Sequence, residues 1–210
     1  MEITKNVHIL EEMKGSYVYL VLGQEPVLID TGMSGKSEKV VKGLAALGMQ
    51  PTDIAHILLT HQDVDHIGNA RRLQEQSGAT LWAPQGEVPY IHGEAKGPGL
   101  RRVIQTLMKV ERPKVDRTYT PGQRIGDIET IPAPGHTLDH TCLLYGDVLL
   151  AGDLVTTRRG RLQASPKFLA WDLAALQRSI REVGARSFDW VCPAHGEPVR
   201  RGNLWEAMGR

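Results

Sequence analysis

Cysteine is nearly absent from this chain, with Cys142 and Cys192 the only two in 210 residues. That excludes a disulfide framework and suits a reducing cytoplasm. An excess of charge is also missing. Lys and Arg number 25 against 24 Asp and Glu, a net charge of +1, so no global field points to nucleic acid or an anionic membrane. No apolar run approaches the length of a membrane span. Residues 1–6 contain no apolar stretch of the kind a secretion signal carries, so a cytoplasmic location is expected.

The apolar fraction of 41% and charged fraction of 23% are those of a globular chain, and the length fits one domain, 1–210. Short apolar runs at 7–10, 17–22 and 26–29 predict strands, with tight turns at Lys14-Gly15 and at 23–25. Helical periodicity follows at 36–47, with Val40, Val41, Leu44 and Leu47 on one face. A strand over 54–59 precedes a helix at 68–76 and a strand at 80–83. Segment 84–117 begins rich in Gly, Pro and charge. It continues as a helix over 100–110 with an apolar stripe of Val103, Ile104, Leu107 and Met108. Long excursions of this kind are often functional, and it reads as a lid insertion or as cover for a sheet edge. Strands resume at 124–125, 128–131, 141–145 and 148–151. A helix over 172–183 has Asp172 as N-cap and Gly184 as stop. A strand at 190–192 and a helix at 203–208 close the chain.

The densest chemistry lies in Thr60-His61-Gln62-Asp63-Val64-Asp65-His66, directly after an apolar strand. Imidazole and carboxylate donors at this density suit zinc, iron or manganese. Four further turns carry donors beside apolar strands. They hold Asp30 (Asp-Thr-Gly), His136 (Pro-Gly-His-Thr), Asp153 (Ala-Gly-Asp) and His195 (Pro-Ala-His-Gly). One such turn is weak evidence, whereas five in one domain are about what a two-metal site requires.

In these motifs the chain resembles the metallo-β-lactamase superfamily over nearly its whole length. The resemblance implies an α/β fold, a four-layer αββα sandwich. It implies His61 and His136 as ligands of one metal, Asp65, His66 and His195 as ligands of a second, and Asp153 as a bridge. It implies Asp30 as a buried support for the metal loop. His140, four residues after His136, is expected close to the site outside the ligand shell. Two divalent cations are implied, zinc first, with iron or manganese as alternatives. The chain departs from the family's His-x-His-x-Asp-His in carrying Asp63 at the second histidine. A carboxylate there can still bind a metal. It also adds a third negative charge to the site, which weakens the Lewis acidity of the ions and leaves the first metal site weak or differently filled.

The expected activity is metal-assisted hydrolysis of an ester-like bond, thioester or lactone, by a metal-bound hydroxide, with Asp65 orienting it. Tyr90, His92 and His140 are the candidates for a general acid. The fifteen residues after His195 leave no room for the helical domain with which hydroxyacylglutathione hydrolases bind their thioester, which counts against that substrate. Alternatives on the same fold are an iron-dependent oxidoreductase or dioxygenase, a phosphodiesterase or nuclease, and a ligand-binding chain without turnover. The expected partners are a small-molecule substrate and, in a homodimer, a second copy of the chain. Arg71-Arg72, Arg101-Arg102, Arg158-Arg159 and Arg200-Arg201 read first as solvated surface pairs, with the second and third having the stronger claim to function. Cys192 reads as a small buried hydrophobe.

Overall fold

Buried branched aliphatics set the strands, and Gly, Pro and Asp end them. The computed structural model describes residues 1–10, 15–120 and 122–208, so the turn expected at Lys14-Gly15 falls partly outside the described residues. The chain divides into two compact units, 1–118 and 119–210.

The first unit is built on β1 (Glu2–Thr4), β2 (Val7–Ile9), β3 (Tyr19–Val21), β4 (Val27–Ile29), α1 (Ser37–Ala45), β5 (His56–Leu58), α2 (Ala70–Ser77) and β6 (Thr80–Pro84). α3 (Val88–Ile91) and α4 (Leu100–Leu107) follow, and β7 (Arg117–Tyr119) stands at the sheet edge where the unit ends. β1 to β4 pair antiparallel in chain order, and β4, β5 and β6 pair in parallel. Val27, Leu28 and Ile29 are all buried, as are Ile57 and Leu58, the continuous apolar pattern of parallel strands covered on both faces. Val40 and Leu44 of α1 and Ala70 and Leu73 of α2 pack with Leu20, Leu28, Ile57 and Leu81 of the strands in one core. Each such fully buried aliphatic contributes about 2 kcal/mol.

The second unit carries β8 (Arg124–Ile125), β9 (Ile128–Pro132), β10 (Thr141–Tyr145), β11 (Val148–Gly152), β12 (Val155–Arg158), β13 (Arg161–Ala164), α5 (Leu173–Gly184), β14 (Trp190–Pro193), β15 (Val199–Arg200) and α6 (Leu204–Ala207). Its main sheet runs β15-β14-β11-β10-β9-β8, with β12 and β13 as a separate ribbon. Leu176 and Val183 of α5 and Trp205 of α6 pack on Ile131, Leu149, Ala151 and Val191. Asp172 caps α5 as expected, its Oδ1 accepting from the Ala174 and Ala175 N–H groups. Those backbone bonds hold its carboxyl below the usual carboxylate range.

Two local expectations are corrected. Gly184 does not stop α5 from beyond its end; it is the last helical residue. A Cβ there would lie 2.3 Å from Trp205 Nε1, so the glycine makes room for the indole, which donates to the Ile180 carbonyl. The expected apolar stripe of α4 is only partly covered, with Ile104 and Met108 half-buried. Val103 and Leu107 are exposed, while Arg101 and Gln105 are buried. Polar bonds hold this helix in place.

Candidate metal centre

In the first unit the donors sit at the C-terminal ends of parallel strands. Asp30 directly follows β4, and His61 comes three residues after β5. Asp30 takes a positive φ of 56°, uncommon for a residue with a side chain. Its Oδ1 accepts the Thr60 N–H at 2.8 Å, and its Oδ2 accepts both the Thr60 hydroxyl and His66 Nδ1, each at 2.8 Å. A hydroxyl has one proton, and Thr60 gives it to Asp30. The remaining contact of Thr60 Oγ1, to His61 Nδ1 at 3.0 Å, is therefore one in which His61 donates. Both imidazoles thus carry their proton on Nδ1 and present the Nε2 lone pair, the arrangement a metal-binding histidine needs. The two rings lie with centroids 4.0 Å apart.

Asp63 Oδ2 is 3.5 Å from His61 Nε2. Two ligands on one tetrahedral zinc, each at about 2.1 Å, are about 3.4 Å apart, so this spacing fits a shared ion. The same carboxylate is grasped by Arg101. Nε reaches Oδ1 at 2.8 Å and Oδ2 at 3.0 Å, and the terminal nitrogen Nη2 reaches Oδ2 at 2.9 Å. The Arg101 side chain is only 5% exposed. Arg101 is therefore no solvated surface residue, and the electrostatic expectation for Asp63 changes with it. A buried guanidinium offsets the added negative charge, so the Asp63–Arg101 pair carries the same net charge as a neutral imidazole. Gln105 from the same helix donates to Gln62 Oε1 at 2.6 Å, and Glu87 accepts the Gln62 N–H. Segment 84–117 thus clasps the metal loop through Glu87, Arg101 and Gln105. Asp65 is anchored by its backbone, its carbonyl accepting from Ser16 Oγ, and its Oδ2 is 4.0 Å from His66 Nε2.

In the second unit Asp153 directly follows β11, His136 comes four residues after β9, and His195 comes two after β14. Asp153 turns its oxygens to different partners. Oδ2 is 3.3 Å from His136 Nε2, and Oδ1 is 3.4 Å from His195 Nε2. His136 Nδ1 is 2.7 Å from Ser165 Oγ. His140 accepts the Asp153 N–H on Nε2 at 3.0 Å, so it fixes the backbone that aims this carboxylate. With Nε2 accepting, the ring proton of His140 is carried on Nδ1. The Tyr90 backbone carbonyl accepts from Arg112, and His92 Nε2 accepts the Val115 N–H.

The model of the metallo-beta-lactamase superfamily matches residues 13–195. The chain belongs to the metallo-beta-lactamase superfamily. Among its relatives is the protein named probable metallo-hydrolase YybB of Bacillus subtilis (strain 168), 26% identical over 182 residues, spanning 84% of this chain and 78% of that one. Another is the hydroxyacylglutathione hydrolase of Rhodospirillum rubrum, 25% identical over 205 residues, spanning 93% of this chain and 68% of the other. The solved metallo-beta-lactamase of Cronobacter sakazakii with a HARLDQ motif superposes with a TM-score of 0.74, covering 92% of this chain and 79% of that one at 21% identity, a likeness of fold. The expected superfamily fold is thereby found, and a metal-dependent hydrolase is the enzyme class this membership supports. His61 with Asp63 and His136 with Asp153 are superfamily-type donors able to hold a divalent cation. Thr60, Ser165, Glu87, Arg101 and Gln105 were not foreseen as site residues. Thr60 adjoins the motif and could have been suspected; Ser165, 29 residues from His136, has no signal in the sequence.

Proposed function

We propose that the chain hydrolyses an ester-like bond, a thioester first and a lactone second, in a small-molecule substrate, with two divalent cations, zinc first. His61, Asp63 and His136 would hold one cation, Asp65, His66 and His195 the other, and Asp153 would reach both. The observation that carries this reading is Asp153, whose separate oxygens stand 3.3 and 3.4 Å from Nε2 of two different histidines. One carboxylate edge-spaced to two imidazoles is the donor pattern of a bridge between two ions. The thioester has the support of the hydroxyacylglutathione hydrolase relative.

When bound, the cations supply Lewis acidity and lower the pKa of a coordinated water towards neutrality. The chain's own residues prepare the site. Asp30 fixes the proton positions on His61 and His66. Arg101 holds the Asp63 carboxylate in one plane and cancels its charge. His140 sets the backbone of Asp153. Asp65 Oδ2 lies 4.0 Å from His66 Nε2, a spacing from which the two would hold the second cation together, with the Asp65 side chain 21% exposed.

Elemental analysis of the purified protein, followed by a screen of thioester, lactone, ester and phosphodiester substrates on the same preparation, tests this. Two equivalents of metal and turnover of a thioester or lactone are expected, and Asp153→Asn should lose metal and most turnover together. Full activity and unchanged metal content in Asp153→Asn would refute the assignment. Metal-dependent oxygen consumption without hydrolysis would move the chain to oxidation.

A further inference from the structure

The ribbon β12–β13 ends in Arg158-Arg159-Gly160-Arg161. Its two-residue turn places Arg159 at φ 53° and Gly160 at φ 71°. Hairpin turns of that hand favour Asn, Asp or Gly at the first position, and a long side chain there is held against its backbone preference. The register sets Arg158 directly opposite Arg161, where like charges repel. All three arginines are exposed. Among the described residues none of the three is in an ion pair, as is also the case for several other arginines of the chain.

Two local rules are therefore broken within four residues, both by arginines. Conflicts of this kind collect where function overrides foldability. An anion seated among the guanidiniums relieves the repulsion between Arg158 and Arg161 and serves as their shared counter-charge. The placement suits it. Arg158, Arg161 and Gln163 share the ribbon's outer face, while Thr157 and Leu162 are buried on the other. With Arg159 they line an open surface hollow of about 590 Å³. The base of the ribbon is tied to the proposed donors. Val155 comes two residues after Asp153, and the Thr157 N–H donates to the His195 carbonyl at 3.0 Å. Gly196 permits that approach, since a Cβ there would lie 2.0 Å from the Thr157 carbonyl oxygen. At strand rise, Arg158 stands at most roughly 17 Å of chain beyond Asp153.

The geometry points to an oxyanion site at the ribbon tip, which takes the carboxylate or phosphate group at the far end of an acidic substrate. The word substrate rests on the proposed hydrolase function; the anion binding itself needs no turnover. Guanidinium forks bind either oxyanion in bidentate fashion.

The test is an NMR titration of the arginine Nε–H signals of the metal-loaded protein, with succinate in one series and methyl phosphate in another. Saturable shifts at Arg158, Arg159 and Arg161 are expected at millimolar ligand, and Arg158→Gln/Arg161→Gln should weaken binding about tenfold or more. The tighter series identifies the group as carboxylate or phosphate. On a succinyl thioester and a propionyl thioester sharing one leaving group, the double variant should lower the acidic-to-neutral ratio of kcat/KM about tenfold. No saturable shift, or equal affinity in the variant, overturns the inference even if both thioesters are hydrolysed. Tighter binding to a DNA oligonucleotide or an anionic vesicle than to either small anion, lost in the same variant, overturns it too. Saturable binding with no hydrolysis of any ester leaves the anion site standing and removes the hydrolase reading instead.

Discussion

Replacing Arg101 by Leu should destabilise the metal-free protein by about 2–3 kcal/mol. Removing one partner of a buried ion pair costs about 3–5 kcal/mol, because the other charge is left without compensation. Here Arg101 is 5% exposed but Asp63 is 15% exposed, so water recovers part of the loss, and the figure belongs at or below the bottom of that range. For a chain of this length the change lowers Tm by roughly 5–10 °C. Thermal unfolding by circular dichroism after chelation provides the measurement. Asp63→Asn added to Arg101→Leu should recover much of the loss, since both charges are then gone. The same comparison with saturating metal reports on ligation. A cation bound to Asp63 supplies the missing positive charge, so the Arg101→Leu penalty should shrink on loading. Limited trypsin digestion locates the damage, with early cleavage at Arg102 and Lys109 if α4 comes away first. A Tm within about 1 °C of the parent, or a double variant no better than the sum of the single ones, would refute the reasoning.

Ser165→Ala removes the hydroxyl against His136 Nδ1; metal affinity by chelator competition should fall about 10–100-fold, and the metal-free chain should lose about 1–3 kcal/mol of stability with the buried hydrogen bond. Burial pushes the Cys142 and Cys192 thiols far above their ordinary range. The folded protein should therefore leave both unmodified by a thiol reagent at neutral pH and react at two sites when unfolded. These raised values also fix a sign. Above about pH 8.5 the unfolded chain releases thiol protons that the folded chain keeps, so this contribution lowers stability as pH rises. The urea midpoint should drop less between pH 7 and 10 in Cys142→Ala/Cys192→Ala than in the parent.

The site was legible where chemistry and strand pattern coincide. His61, Asp153 and His195 each stand within three residues of the end of an apolar strand, so a donor at a strand end could be read as a candidate ligand before any contact was known. The parallel core strands were legible too, since Val27 to Ile29 and Ile57 to Leu58 form unbroken apolar runs. Other parts were hidden for physical reasons. α4 reverses the usual rule, burying Arg101 and Gln105 and exposing Leu107, so its period marked a helix and misassigned its faces. β12 and β13 are short, rich in Thr and Arg, and held by pairing with each other, which gives no apolar pattern to find. The bonds from Ser165 to His136 and from Arg101 to Asp63 join residues 29 and 38 positions apart, and long-range polar pairs leave no local trace.

Asp30 governs two imidazoles with one carboxylate, directly at His66 and through the Thr60 hydroxyl at His61. Both rings then turn a lone pair outward from Nε2 with the hydrogen already on the other nitrogen, and loss of this one acid would unsettle the tautomer of both at once.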